Sequence, residues 1–91
     1  MTRQGEALFV SHCIACHTVR GTKAHGTLGP DLTHIGSRLS IAAGILPNNR
    51  GTLASWISAS QNVKPGNLMP SMNFFSGAEL QALAAYLESL R

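Results

Sequence analysis

Within five consecutive residues, Cys13-Ile14-Ala15-Cys16-His17, the chain places two thiols and an imidazole. Three kinds of chemistry use such a set. A C-x-x-C pair can cycle between dithiol and disulfide, but those pairs belong to thioredoxin-like units in which a strand leads into the motif, and no strand pattern precedes Cys13. Structural zinc takes four ligands, usually with a second Cys or His pair at short spacing, and His12, His25 and His34 do not form one. The third chemistry employs all three side chains. Two thiols on a tight helical turn reach the two vinyl groups on one edge of a porphyrin, and the next residue points its imidazole at the iron. Thioether bonds at Cys13 and Cys16 would make loss of haem a covalent event, with His17 as one iron ligand.

A haem that only carries electrons keeps both axial positions filled, so a second ligand is required. The candidates are Met69, Met72, His25 and His34. A thioether sulfur is soft, favours ferrous iron and raises the reduction potential, which suits an electron carrier. Met69 is preferred, because the Pro65-Gly66 turn brings an extended loop back across the ring and Pro70 stiffens that loop. Met72 reads as a flexible apolar filler of the pocket and stands as the alternative ligand.

The rest of the chain has to build a pocket for such a group. At 91 residues it belongs to the sizes that bury little apolar surface unaided. Aromatic side chains are limited to Phe9, Trp56, Phe74, Phe75 and Tyr86, against nine glycines and four prolines. Two cysteines so close together would close too small a loop to constrain the unfolded chain much. A large apolar cofactor is the better filling for the centre. Seven Lys and Arg against four Asp and Glu give a formal charge of +3, scattered from Arg3 to Arg91. The alternation of basic and aromatic residues that binds nucleic acid is missing, and this modest charge suits steering toward an acidic protein partner. No apolar run approaches the roughly 20 residues that span a bilayer, and no signal sequence opens the chain.

Helical signals lie at both ends. Ser76 and Glu79 have the spacing of a capping box, and Leu80, Leu83, Ala84, Leu87 and Leu90 follow at helical intervals. A second helix is expected to start near Thr2, as its cap, and to run through Gly5, Leu8 and Phe9 toward Cys13. Gly5 and Phe9 share a face, and glycine there lets another helix come close, so these two are expected against Leu83 and Tyr86. Thr52 to Ile57 reads as a short middle helix and Ser40 to Ala43 as one further turn. Gly21, Gly26, Gly29-Pro30, Pro47-Asn48-Asn49 and Pro65-Gly66 punctuate the remainder too often for long strands. The expectation is one all-α domain over residues 1–91, with long loops organised by what they enclose.

In order along the chain, Gly5 and Phe9, the C-x-x-C-H at 13 to 17, Gly29-Pro30-Asp31-Leu32, Thr52-Leu53 through Trp56-Ile57, Pro65-Gly66, Met69-Pro70, and Leu83 with Tyr86-Leu87 resemble a class I cytochrome c over essentially the whole length. Gly29 to Arg38, Ala42-Ala43-Gly44 and Lys64 to Pro70 more specifically resemble the haem domain fused to subunit II of some bacterial terminal oxidases. The resemblance implies crossed terminal helices with loops wrapping one covalent haem. Pro30 resembles the proline whose carbonyl accepts the distal N–H of the axial histidine. Arg38 matches an arginine near a haem propionate, where its plain reading is a solvated loop residue. Trp56 matches an aromatic position on the methionine side of the haem, often tyrosine in the family; its indole N–H would reach a propionate or the sulfur, or the ring would simply pack. Asn48 and Asn49 would bond a propionate or form a turn. His12 and His25 fit no ligand role and are expected to be exposed, His34 to be a partly exposed loop residue, and Lys23, Lys64 and Arg20 to form a positive rim.

These implications describe an electron relay in which no substrate is transformed. A redox protein, acidic on its docking face, would be the donor, and the dinuclear copper centre of a preceding domain in the same oxidase subunit the acceptor. Cysteine-linked haem is attached outside the cytoplasm, so the natural protein is expected to be a longer, membrane-anchored chain with this domain on the periplasmic side of the bacterial inner membrane. A free electron-carrier cytochrome is the alternative with the same chemistry. A sensor or peroxidatic haem protein would leave the sixth site open, and the Met69 loop argues against it.

Overall fold

The computed structural model describes residues 2–14, 16–22, 24–26, 29, 31–42, 44–67 and 69–91. In chain order the elements are α1 (Thr2–His12), a 3-10 turn (Ile35–Ser37), β1 (Ser40–Ile41), β2 (Leu46–Pro47), α2 (Arg50–Val63) and α3 (Gly77–Glu88). Three helices carry the fold, as the class I cytochrome c expectation requires, with one small antiparallel hairpin added.

The terminal helices meet where the sequence brings their small and aromatic residues together. A Cβ on Gly5 would lie 2.0 Å from the Ala82 carbonyl oxygen and 2.8 Å from the Tyr86 Cβ, so only glycine allows α1 to approach α3 this closely. One turn on, the Phe9 and Tyr86 rings are 5.5 Å apart and tilted by 51°, with Leu83 fully buried beside them. At the start of α3 the Ser76 hydroxyl accepts from the Glu79 N–H at 3.1 Å and the Glu79 carboxylate accepts from the Ser76 N–H at 2.8 Å, which is the expected capping box. Thr2, expected as a cap, is instead the first residue of α1. At the other end of α3, Gly36 of the 3-10 turn donates its N–H to the Leu90 carbonyl, and a Cβ there would lie 2.2 Å from the Glu88 carbonyl oxygen.

Two local expectations are corrected. Ser40 to Ala43, read as a helical turn, begins a hairpin: Ser40 pairs with Pro47 and Ile41 with Leu46. Ala42 and Gly44 both take positive φ, 54° and 88°, and the Gly44 N–H donates to the Ile41 carbonyl, which reverses the chain instead of coiling it. The middle helix is also longer than Thr52 to Ile57. Its Asn49 cap and Thr52 form a second capping box, and it runs on through a break at Ala59, where φ is −139° and ψ 36°. Ser58, Ser60 and Asn62 are weak helix formers, so contacts from elsewhere must hold this last stretch. Asn48 is likewise used within the chain, its amide donating to the Ile35 and Arg38 carbonyls at 2.7 and 2.8 Å. The pair therefore ties down the hairpin and caps α2.

Buried Phe9, Ile35, Ile41, Leu53, Ile57, Leu83 and Leu87 form one apolar cluster. All seven also line a single cavity, so the core is built around a space and not solidly through the centre.

Candidate functional site

The two thiols leave the end of α1 on a tight turn. Cys13 continues the helical pattern by donating its N–H to the Phe9 carbonyl at 2.8 Å, and the Cys13 carbonyl then accepts from both Cys16 and His17, at 3.2 and 3.0 Å. That local winding puts both cysteines and His17 on the cavity lining. Both cysteines are free. Burial, and then the neighbouring Cys16, push the Cys13 thiol up to about 11, so it stays protonated at neutral pH. Reactive redox cysteines show the opposite, a thiol held low in an electropositive setting. The chain ahead of the motif is helix, not the strand of a thioredoxin-like unit. Among the described residues no three His, Cys, Asp or Glu side chains converge as zinc ligands would.

The following segment folds back over this turn at very short range. Gly26 donates its N–H to the His17 carbonyl at 3.0 Å and Gly29 to the Cys16 carbonyl at 2.7 Å. A Cβ on Gly26 would stand 2.5 and 2.6 Å from Cys16 backbone atoms, and one on Gly29 would stand 2.5 Å from His17 Cε1. Thr18 adds to the hold: its hydroxyl donates to the Gly26 carbonyl at 2.7 Å and its carbonyl accepts from Leu32 N–H at 2.7 Å. Asp31 is fixed by the Thr33 hydroxyl and N–H, which lower its carboxyl, with Arg20 at 3.8 Å a weaker contribution. Pro30, the expected partner of the axial histidine, lies outside the described residues.

The cavity has a volume of about 510 Å³, within the usual range of about 300–1,000 Å³ for a cofactor site. Cys13, Cys16, His17, Arg38, Trp56 and Met69 all line it. Of the four second-ligand candidates it brings in both methionines and neither His25 nor His34, which are exposed. Arg38 donates to the Asp31 carbonyl at 3.1 Å and lines the cavity together with Lys64, while Lys23 lies outside the described residues and Arg20 pairs with Asp31. Trp56 is half-buried against the apolar cluster. His12 is exposed, as expected, but its ring stands edge-on to Phe75 at 5.0 Å and also contributes to the lining. Apolar walls, two thiols, the imidazoles of His12 and His17, two thioethers and two cations on one surface fit a flat apolar group with anionic substituents, which is what a haem presents.

Around Met69 the chain is held by side chains that sequence reasoning passed over. Its carbonyl accepts from the Ser60 hydroxyl at 2.8 Å and from the Gln61 amide at 2.7 Å, and its N–H donates to the Asn67 side-chain oxygen at 2.7 Å. Met72 is tied differently, by its N–H to the Ile57 carbonyl at 2.9 Å. No residue spacing advertises these amides, and Ser60, wholly buried in the structure, lies beyond the helix expected from the sequence.

The family model for cytochrome c matches residues 2–91. Cytochrome c oxidase subunit 2 of Alkalihalophilus pseudofirmus is 42% identical over 93 aligned positions, and that of a Bacillus species 36% identical over 95. Both alignments take in the whole of this chain and 26% of the relative, so the chain spans about a quarter of the curated relatives it matches. Among solved structures, SoxXA from P. pantotrophus superposes with a TM-score of 0.75 at 16% identity, covering 98% of this chain and 80% of that one. The c-type cytochrome SorU from Sinorhizobium meliloti superposes with a TM-score of 0.67 at 18% identity, covering 98% and 88%. With the C-x-x-C-H turn, the cavity it opens onto and a family match over essentially the full length, the chain belongs to the cytochrome c family.

Proposed function

We propose that this domain relays single electrons through a haem c bound by thioethers at Cys13 and Cys16, with His17 and Met69 as its axial ligands. The group supplies an iron that alternates between ferric and ferrous states; the chain supplies everything that makes this alternation fast and directional. Haem-based electron transfer follows from membership of the family. The observation that carries the finer reading is the meeting of Cys13, Cys16, His17 and Met69 on one apolar cavity.

Each residue then has a stated task. The cysteines fix the ring to the end of α1. His17, packed against the Gly29 backbone, is kept from rotating, and Pro30, by its resemblance to the family proline, would supply the carbonyl for the distal N–H. Met69 presents a soft sulfur that favours the ferrous state. Arg38 would meet a propionate, and Trp56, on the cavity lining, would pack on the methionine side. The apolar lining excludes water and raises the cost of the ferric charge, which moves the potential upward.

The partner is proposed from the similarity to oxidase subunit 2. In that reading the domain is one part of a longer, membrane-anchored subunit on the periplasmic side, its donor is a redox protein with an acidic docking face, and its acceptor is a dinuclear copper centre in the same chain. No helix among the described residues is long and apolar enough to cross a membrane, so the anchor would lie elsewhere in that longer chain. Tethering would hold the haem domain and its copper acceptor at a fixed effective concentration. The test is rapid reduction of the haem in the intact subunit, with copper reduction followed over a range of protein concentrations. A rate independent of concentration is expected. One proportional to concentration would favour a freely diffusing carrier.

A further inference from the structure

The stretch of α2 beyond its break at Ala59 does little core packing, yet Ser60 is completely buried and the side chain of Gln61 is spent wholly on another segment. Gln61 Nε2 donates to the carbonyls of Asn67 and Met69, both at 2.7 Å, while its Oε1 accepts from the Gly66 N–H at 3.2 Å. Asn67 mirrors it. Its Nδ2 donates to the carbonyls of Ser60 and Lys64 at 3.0 and 2.7 Å, and its Oδ1 accepts from the Met69 N–H at 2.7 Å. Carbonyl oxygens only accept, so the partners fix which end of each amide is nitrogen. The two amides thus saturate three backbone groups each, six bonds in all. They close a loop of chain between the end of a helix and Met69.

We infer that Gln61 and Asn67 are positioning residues that hold the Met69 sulfur at bonding distance from the iron and so set how readily the sixth ligand is displaced. The inference rests on Met69 being that ligand. Residues 64–67 leave the end of α2 and turn at Gly66, where φ is 84°, with Lys64, Pro65 and Gly66 exposed. This segment has little apolar burial of its own to hold it. The break at Ala59 turns the last part of α2, and from there Ser60 and Gln61 both reach the Met69 carbonyl. An iron–thioether bond is weak enough that the stiffness of the loop carrying the methionine decides whether an outside ligand can compete. Without the amides the loop opens more often, and the sulfur leaves with it.

The test uses haem-loaded protein and imidazole as the competing ligand. Gln61→Met keeps the length of the side chain and removes its donors; Asn67→Ala removes the second clamp; Asn62→Ala, exposed on the same helix, is the control. Both clamp variants are expected to bind imidazole at ferric iron about tenfold more tightly or better, with the sulfur-to-iron absorption band weakened and the Met69 amide exchanging faster, while the control matches the parent. Merely lowered melting temperature with unchanged imidazole affinity and band would overturn the inference. Should one variant fail to fold, the other decides it by the same readings. Met69→Ala separates the two readings: if the band survives that change, the ligand assignment itself has failed. If the band is lost there but imidazole affinity in both clamp variants stays within about twofold of the parent, only the positioning role has failed.

Discussion

Around His17 the chain is held by backbone against backbone: glycines at 26 and 29 let the following segment lie on the C-x-x-C-H turn at distances no Cβ would permit. Around Met69 it is held by side chains, with Ser60, Gln61 and Asn67 reaching across to main-chain groups that no regular element would satisfy. The first arrangement tolerates almost no substitution, because its tolerance is steric and steep. The second is a set of separate bonds, each contributing about 0.5–1.5 kcal/mol net, and it can be weakened in steps. This contrast matches the proposed roles. A ligand next to two covalent anchors has no reason to move, whereas a sulfur held only by its loop is the adjustable one.

The contrast can be broken first at the helix that carries the attached end. Phe9 is 2% exposed, packs on Tyr86 and lines the cavity, so Phe9→Ala should cost about 3–5 kcal/mol in thermal or denaturant unfolding of the haem-loaded protein. An unchanged midpoint would mean that the terminal seam is not what supports the motif. The next largest effect is expected from Gly29→Ala. Its Cβ would enter the space of the imidazole, for a loss of about 1–3 kcal/mol accompanied by altered NMR shifts of the His17 ring. A silent Gly29→Ala would sink the steric half of the comparison. Smaller still, Ser60→Ala removes one of two donors to the Met69 carbonyl and should cost about 1 kcal/mol, leaving the His17 ring signals where they were.

The thiol–imidazole turn and the helix seam are legible in the sequence; the packing of Gly26 and Gly29 on that turn and the long-range hydrogen bonds around Met69 are not. The C-x-x-C-H spacing, Gly5 and Phe9 four residues apart on one helix face, and the Ser76 to Glu79 box each express a local rule of four or five residues. So the terminal helices and the thiol–imidazole turn could be read directly. Ser40 to Ala43 reads as a helical turn in the sequence, because the hairpin it begins depends on Ala42 adopting a positive φ, a state that alanine's identity does not announce. The extension of α2 past Ile57 runs through poor helix formers and exists because Gln61 and Ser60 find partners around Met69. Asn48 and Asn49 were read as open between propionate and turn for the same reason: an amide takes whichever carbonyl the fold brings near.

The assignment of the sixth ligand carries the whole account, since both Met69 and Met72 line the cavity. Absorption spectra and reduction potentials of haem-loaded Met69→Ala and Met72→Ala, measured side by side with the parent, test it most directly. The account predicts that Met69→Ala loses the weak ferric sulfur-to-iron band and lowers the potential, while Met72→Ala keeps the band and moves the potential little. The reverse pattern would contradict it and make Met72 the ligand.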